Sequence, residues 1–81
     1  MNMNKKLAEV LAEVFGLRCA EIQPEVQKCD VGTWDSLKQM DLVVSLERQY
    51  GIALDIPDIL RMTSVAEIMA VLQDKGVDLG S

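Results

Sequence analysis

The run GTWDSLKQMDLVVSLERQYG, residues 32–51, passes within a few positions from turn-forming residues to a helical pattern. From Ser36 to Tyr50, the residues Leu37, Met40, Val43, Val44 and Tyr50 fall on one helix face, and Leu42 and Leu46 widen it. So broad an apolar surface predicts a helix that is largely buried or that meets something apolar. Lys38, Asp41, Glu47, Arg48 and Gln49 make its polar side, and Gly51 follows its end.

Working upstream, residues 17–35 lose all periodicity. Pro24, Gly32 and scattered polar residues indicate a long loop, with room for a short helical turn. Loops of this length are unusual in small domains and are often functional. Leu17, Ile22, Val26 and Val31 are the apolar residues expected to pin it to the helices. Before it, residues 4–15 form a first helix with Leu7, Val10, Leu11 and Val14 in one stripe, Asn4 as its cap and Gly16 just past its end. Downstream, Ile52 to Ile56 is too short and too close to Pro57 for a paired strand. Pro57 at a first helical position, followed by Asp58, opens a short third helix over residues 57–62. Ser64-Val65-Ala66-Glu67 fits a capping box, and Val65, Ile68, Met69 and Leu72 carry a last helix over residues 64–75, stopped by Gly76. The sum is an all-α single domain over residues 1–81: a small four-helix bundle of three main helices and a short third, with a long loop between the first two.

Composition agrees. The chain has 81 residues, 49% of them hydrophobic and only 4% aromatic, which suits an aliphatic, Met-containing core of packed helices better than a β-sandwich. A net charge of -5 argues against nucleic acid as a partner, since phosphate backbones call for clustered Lys and Arg, and it suits partners with basic patches. No apolar run approaches a signal peptide or a membrane span, so a cytoplasmic protein is expected, and a monomer, because no apolar stripe is left over once the bundle forms. Cys19 and Cys29 lack C-x-x-C spacing and are expected as free thiols, one or both partly buried. There is no His, which excludes a Cys/His zinc site and a Cys–His nucleophilic pair within this chain.

Ser36 carries the chemistry. At a helix start, free backbone N–H groups and the positive end of the dipole converge, and a phosphate ester there is favoured by about 0.3–1 kcal/mol. Asp35 places a carboxylate beside it, able to help hold a divalent cation such as Mg²⁺ during phosphate transfer. Nothing near Ser36 can activate it as a nucleophile, the nearest Lys being Lys38, so the site looks like an acceptor for another enzyme. Asp-Ser before an apolar run is also how an ordinary helix is capped, by either residue.

The order Gly32, Asp35-Ser36-Leu37, Met40-Asp41-Leu42-Val43 and Leu46-Glu47, with Tyr50-Gly51-Ile52, Leu54 and Thr63-Ser64-Val65, resembles the acyl carrier protein family over nearly the whole chain. The resemblance implies that Ser36 is modified with phosphopantetheine by a phosphopantetheinyl transferase using coenzyme A and Mg²⁺, with Asp35 contacting the metal or the transferase. It implies that the arm's thiol, not Cys19 or Cys29, holds acyl cargo for loading and acyl-transferring enzymes. Leu37, Lys38, Met40 and Asp41 would lie on the helix those partners read. The third and fourth helices would close a cleft able to shelter a chain, lined by Met62 and Met69.

Two departures bear on the pathway. Along residues 36–50 Lys38 and Arg48 offset Asp41 and Glu47, where many fatty-acid carriers are densely acidic. Trp34 stands where such carriers commonly have a small residue, and an indole there suits an anchor under the loop. Both favour a specialised lipid, polyketide or polysaccharide-modifying pathway, or a free-standing aminoacyl carrier. An enzyme fails on inventory, having neither a metal cluster nor a paired-carboxylate site. A helical interaction module in which Asp35-Ser36 merely caps remains the competing reading.

Overall fold

The computed structural model describes residues 4–79. Four α-helices follow in order, α1 (Lys5–Phe15), α2 (Ser36–Tyr50), α3 (Ile56–Arg61) and α4 (Val65–Asp74), with short 3-10 turns at Cys19–Glu21 and Lys28–Asp30 inside the first loop. Asn4 caps α1, its side-chain oxygen accepting from the Leu7 N–H at 3.0 Å, while its Nδ2 donates to the Leu79 carbonyl at 2.9 Å and so ties the start of α1 to the segment after the last helix. α1 ends at Gly16 and α2 at Gly51, at φ of 69° and 62°, a left-handed backbone that glycine adopts without a Cβ clash.

The core is aliphatic. Leu7, Leu11, Leu42, Leu46, Met62, Ile68 and Leu72 are wholly enclosed, and Phe15 and Trp34 close one end of it. The ring centroids of those two aromatics lie 4.5 Å apart at an interplanar angle of 32°. Trp34 is thus the anchor its position suggested, only 4% exposed.

The long loop is held on both sides. Ile22 and Val31 are buried, and Leu17 and Val26 pack against the core. On the far side its backbone pairs with the start of α4: Lys28 N–H donates to the Thr63 carbonyl at 2.8 Å, Val65 N–H to Val26 at 2.9 Å and Ala66 N–H to Pro24 at 3.0 Å. This isolated antiparallel bridge is the nearest approach to β-structure among the described residues. Both cysteines are exposed free thiols, contrary to the expected partial burial. Each sits on a 3-10 turn at the outer side of the loop, where Ile22 and Val31 take the inward positions.

Three expectations shift in detail. α3 begins at Ile56, so Pro57 is its second residue. The Asp58 carboxylate accepts from the Asp55 N–H at 3.1 Å, which makes Asp55 the cap. α4 runs from Val65 because Ser64 is its cap, accepting from the Glu67 N–H at 3.1 Å, and no bond returns from the Glu67 carboxylate among the described residues. α2 buries Gln39, Leu42, Val43 and Leu46, leaving Leu37, Met40 and Val44 exposed. An apolar strip therefore does remain outside the bundle, extended by Ile56 and Leu60 of α3.

α3 is tied to α4 by charge. Lys75 Nζ lies 2.7 Å from Asp58 Oδ2 and 4.0 Å from Asp55, and Arg61 Nη1 lies 2.7 Å from Asp74. The hydrogen bond from Lys75, with that from the Asp55 N–H, holds the Asp58 carboxyl below its usual range. A carboxyl depressed in the native state stabilises fully above its unfolded pKa, and loses that contribution as pH falls through the native one. Asp58→Asn is therefore expected to be less stable than the parent at neutral pH, with the gap closing on acidification. Urea unfolding at several pH values checks this, and a gap independent of pH would contradict it.

Candidate functional site

The residues before α2 are fixed from three directions. Thr33 Oγ1 donates to the Phe15 carbonyl at 2.9 Å, tying the loop to the end of α1. Trp34 N–H donates to Val31 and Asp35 N–H to Thr33, each at 3.0 Å. The Trp34 indole is buried on Phe15, and its Nε1–H donates to Gln39 Oε1 at 2.6 Å. With Trp34 driven inward, Asp35 and Ser36 face solvent and are exposed.

Asp35 is the cap of α2. Its Oδ1 accepts from the Lys38 N–H at 2.9 Å, and its carbonyl accepts from Gln39 N–H at 2.8 Å. Ser36 is the first helical residue of the 15 in α2. Capping by Asp35 leaves the Ser36 hydroxyl outside the helix's own hydrogen bonds, and the Ser36 and Leu37 N–H groups have no acceptor among the described residues. The first turn of α2 contains no acidic side chain. A phosphate ester on Ser36 would thus meet open donors and the positive end of the dipole, which it shares with the Asp35 carboxylate at the cap. Capping and a role in modification are compatible for Asp35, because its second oxygen makes no bond among the described residues.

Beside Ser36 opens a cleft of about 440 Å³ between α2 and α3, walled by Gln39, Met40, Ile59, Leu60 and Met62, with Lys28 and Thr63 at its edge. The expected cleft lay between the third and fourth helices, whereas this one is formed by the second and third, with no residue of α4 in its wall. Met62 reaches it, whereas Met69 packs against the core from α4 and does not line it. Gln39 was missed in the sequence as a site residue. The signal available was its place three residues after Ser36 and at the head of the spacing Gln39, Leu42, Val43, Leu46.

The outward face of α2 is apolar and nearly neutral. Leu37 is 75% and Met40 52% exposed. Lys38 and Asp41 pair with each other at 3.7 Å. Glu47 is partly withdrawn, its carboxylate accepting from the Leu54 N–H at 2.8 Å to hold the segment after α2.

A family model described as the phosphopantetheine attachment site matches residues 5–72, which sets the class: proteins bearing a covalent phosphopantetheine. The meromycolate extension acyl carrier protein of Mycolicibacterium aurum is 31% identical over 67 residues, covering 83% of this chain and 69% of that one. The acyl carrier protein of Nitratidesulfovibrio vulgaris is 24% identical over 75 residues, covering 93% of this chain and 99% of that one. Among solved structures, holo acyl carrier protein from Geobacter metallireducens superposes with a TM-score of 0.79 at 27% identity, over 93% of this chain and 86% of that one. The chain belongs to the phosphopantetheine-binding acyl carrier protein family. It carries acyl groups on phosphopantetheine and is a non-catalytic carrier, served by a phosphopantetheinyl transferase and by acyl-handling enzymes. No described helix is long and apolar enough to cross a membrane.

Proposed function

We propose that Ser36 is the residue that bears the arm, and that this carrier serves a specialised lipid, polyketide or polysaccharide-modifying pathway. The observation that carries the assignment is the exposed Ser36 hydroxyl at the first position of α2, beside a cleft and open N–H groups, with capping already supplied by Asp35. On a phosphopantetheinyl transferase with Mg²⁺, Ser36 Oγ attacks the pantetheine-bearing phosphorus of coenzyme A. The new P–O bond forms as the pyrophosphate linkage breaks, adenosine 3′,5′-bisphosphate leaves and the serine proton is lost. The arm's terminal thiol then supplies the thioester that holds the cargo. The two exposed, unpaired cysteines fit a reducing, cytoplasmic setting and take no part in carriage.

Partners read α2 through Leu37 and Met40, with Lys38 and Asp41 setting register beside them. A surface so close to neutral favours partners whose contact is apolar more than basic. The specialised pathway is supported by this lack of acidity and by likeness to a carrier named for meromycolate extension.

A fluorescent coenzyme A, Mg²⁺ and a promiscuous transferase test the proposal. The parent should take up label, and Asp35→Asn should do so far more slowly while keeping most of its stability, because Asn caps a helix about as well as Asp. Equal rates would remove Asp35 from the site. Leu37→Ala should slow transfer to a cognate acyl-handling enzyme with little change in stability, since the side chain is exposed. Unchanged transfer would remove Leu37 from the partner surface.

A further inference from the structure

Gln39 is the buried polar side chain of the core, only 9% exposed. Its amide is fully engaged. Oε1 accepts from Trp34 Nε1 at 2.6 Å, and Nε2 donates to the carbonyls of Ile59 at 2.9 Å and Met62 at 3.2 Å. One side chain thereby joins the end of the long loop, the first turns of α2 and the C-terminal end of α3. It stands with Met62 in the wall of the cleft beside Ser36, and Leu42, Leu46 and Ile68, which do not line the cleft, are wholly enclosed.

Resting on the assignment of the arm to Ser36, we propose that Gln39 latches α2 to α3 and bars the core, so that an acyl group on the arm stays at the surface. A chain threading from the cleft toward Leu46 and Ile68 must displace the amide. It would strand the Trp34 ring N–H and the Met62 carbonyl, whereas the Ile59 carbonyl keeps the Met62 N–H, and an aliphatic chain has no group to satisfy the stranded pair. Outside the latch the chain meets apolar surface at no such penalty, since Met40 is 52% and Leu60 72% exposed. Partner enzymes then receive the cargo from the surface and need not extract it. Gln39 is a positioning residue that sets where cargo lies.

The test uses the full chain loaded from octanoyl-coenzyme A by a promiscuous transferase, with loading read by intact mass. Backbone and methyl NMR spectra of the octanoyl and arm-only forms are then compared. Shifts confined to Met40, Ile59, Leu60 and Thr63, with the Leu42, Leu46 and Ile68 signals unmoved, are expected. Displaced core signals, or cross-peaks from the octanoyl chain to Leu46 or Ile68, would overturn the latch. The double variant Trp34→Phe with Gln39→Met removes both partners together and so leaves no ring N–H stranded. Its octanoyl form is expected to show the core shifts that the parent lacks, and a core as quiet as the parent's would remove Gln39 from the role. Absence of any mass increment would overturn the carrier assignment at Ser36, and the latch with it.

Discussion

Trp34→Ala is expected to lower stability by about 3–5 kcal/mol, the usual range for removing a large buried aromatic side chain. The substitution deletes the 4.5 Å stack on Phe15 and opens a hole at one end of the core. It also strips Gln39 Oε1 of its donor, leaving a buried carbonyl unsatisfied. Against a total of about 4–12 kcal/mol for a chain of 81 residues, a loss of that size removes at least about a quarter of the stability. Trp34→Phe separates the parts. It retains a ring against Phe15, gives up the Nε1 bond and should cost about 1–3 kcal/mol. Trp34 is the single tryptophan, so urea unfolding is followed by far-ultraviolet circular dichroism and not by indole fluorescence. A Trp34→Ala protein as stable as the parent would contradict the anchoring role.

Ser36→Ala is expected to abolish phosphopantetheine addition altogether while changing stability by no more than about 0.5 kcal/mol. Two features separate function from folding here. The Ser36 side chain is exposed, and the capping oxygen belongs to Asp35. Alanine is also the best helix former, so α2 keeps its first turn. A competing role as an interaction module predicts the same folded variant, with partners still bound. Loss of loading together with native unfolding behaviour therefore favours the carrier, and modification of Ser36→Ala would place the arm elsewhere.

The bundle was legible because its helix ends carry local chemistry. Asn4, Gly16, Gly51 and Ser64 each act within a few residues of themselves, so the sequence reveals them without knowledge of the fold. The pinning of the loop by Ile22 and Val31 was legible for a related reason, since apolar residues in a polar stretch have to be buried somewhere. The face of α2 was not. Apolar residues span so wide an arc of that helix, opposite the polar side of Lys38, Asp41, Arg48 and Gln49, that periodicity alone cannot choose between the stripe through Leu37, Met40 and Val44 and the one through Leu42, Val43 and Leu46. The choice is made by tertiary partners. Gln39 goes inward because Trp34 and two carbonyls near the end of α3 await it, and all of those lie on other segments. Glu47 looked like surface charge for the same reason, its partner being the backbone of Leu54 beyond the helix end. The candidate site was legible in Asp35-Ser36 at a helix start, whereas the cleft beside it depends on where α3 packs, which no local pattern states.

The most direct measurement is the intact mass of the purified parent protein after incubation with coenzyme A, Mg²⁺ and a promiscuous phosphopantetheinyl transferase, followed by peptide mapping. A single phosphopantetheine increment, located on Ser36, is the predicted result. No increment on the folded protein while a control carrier is modified alongside, or an increment mapped to another residue, would contradict the assignment of the arm to Ser36.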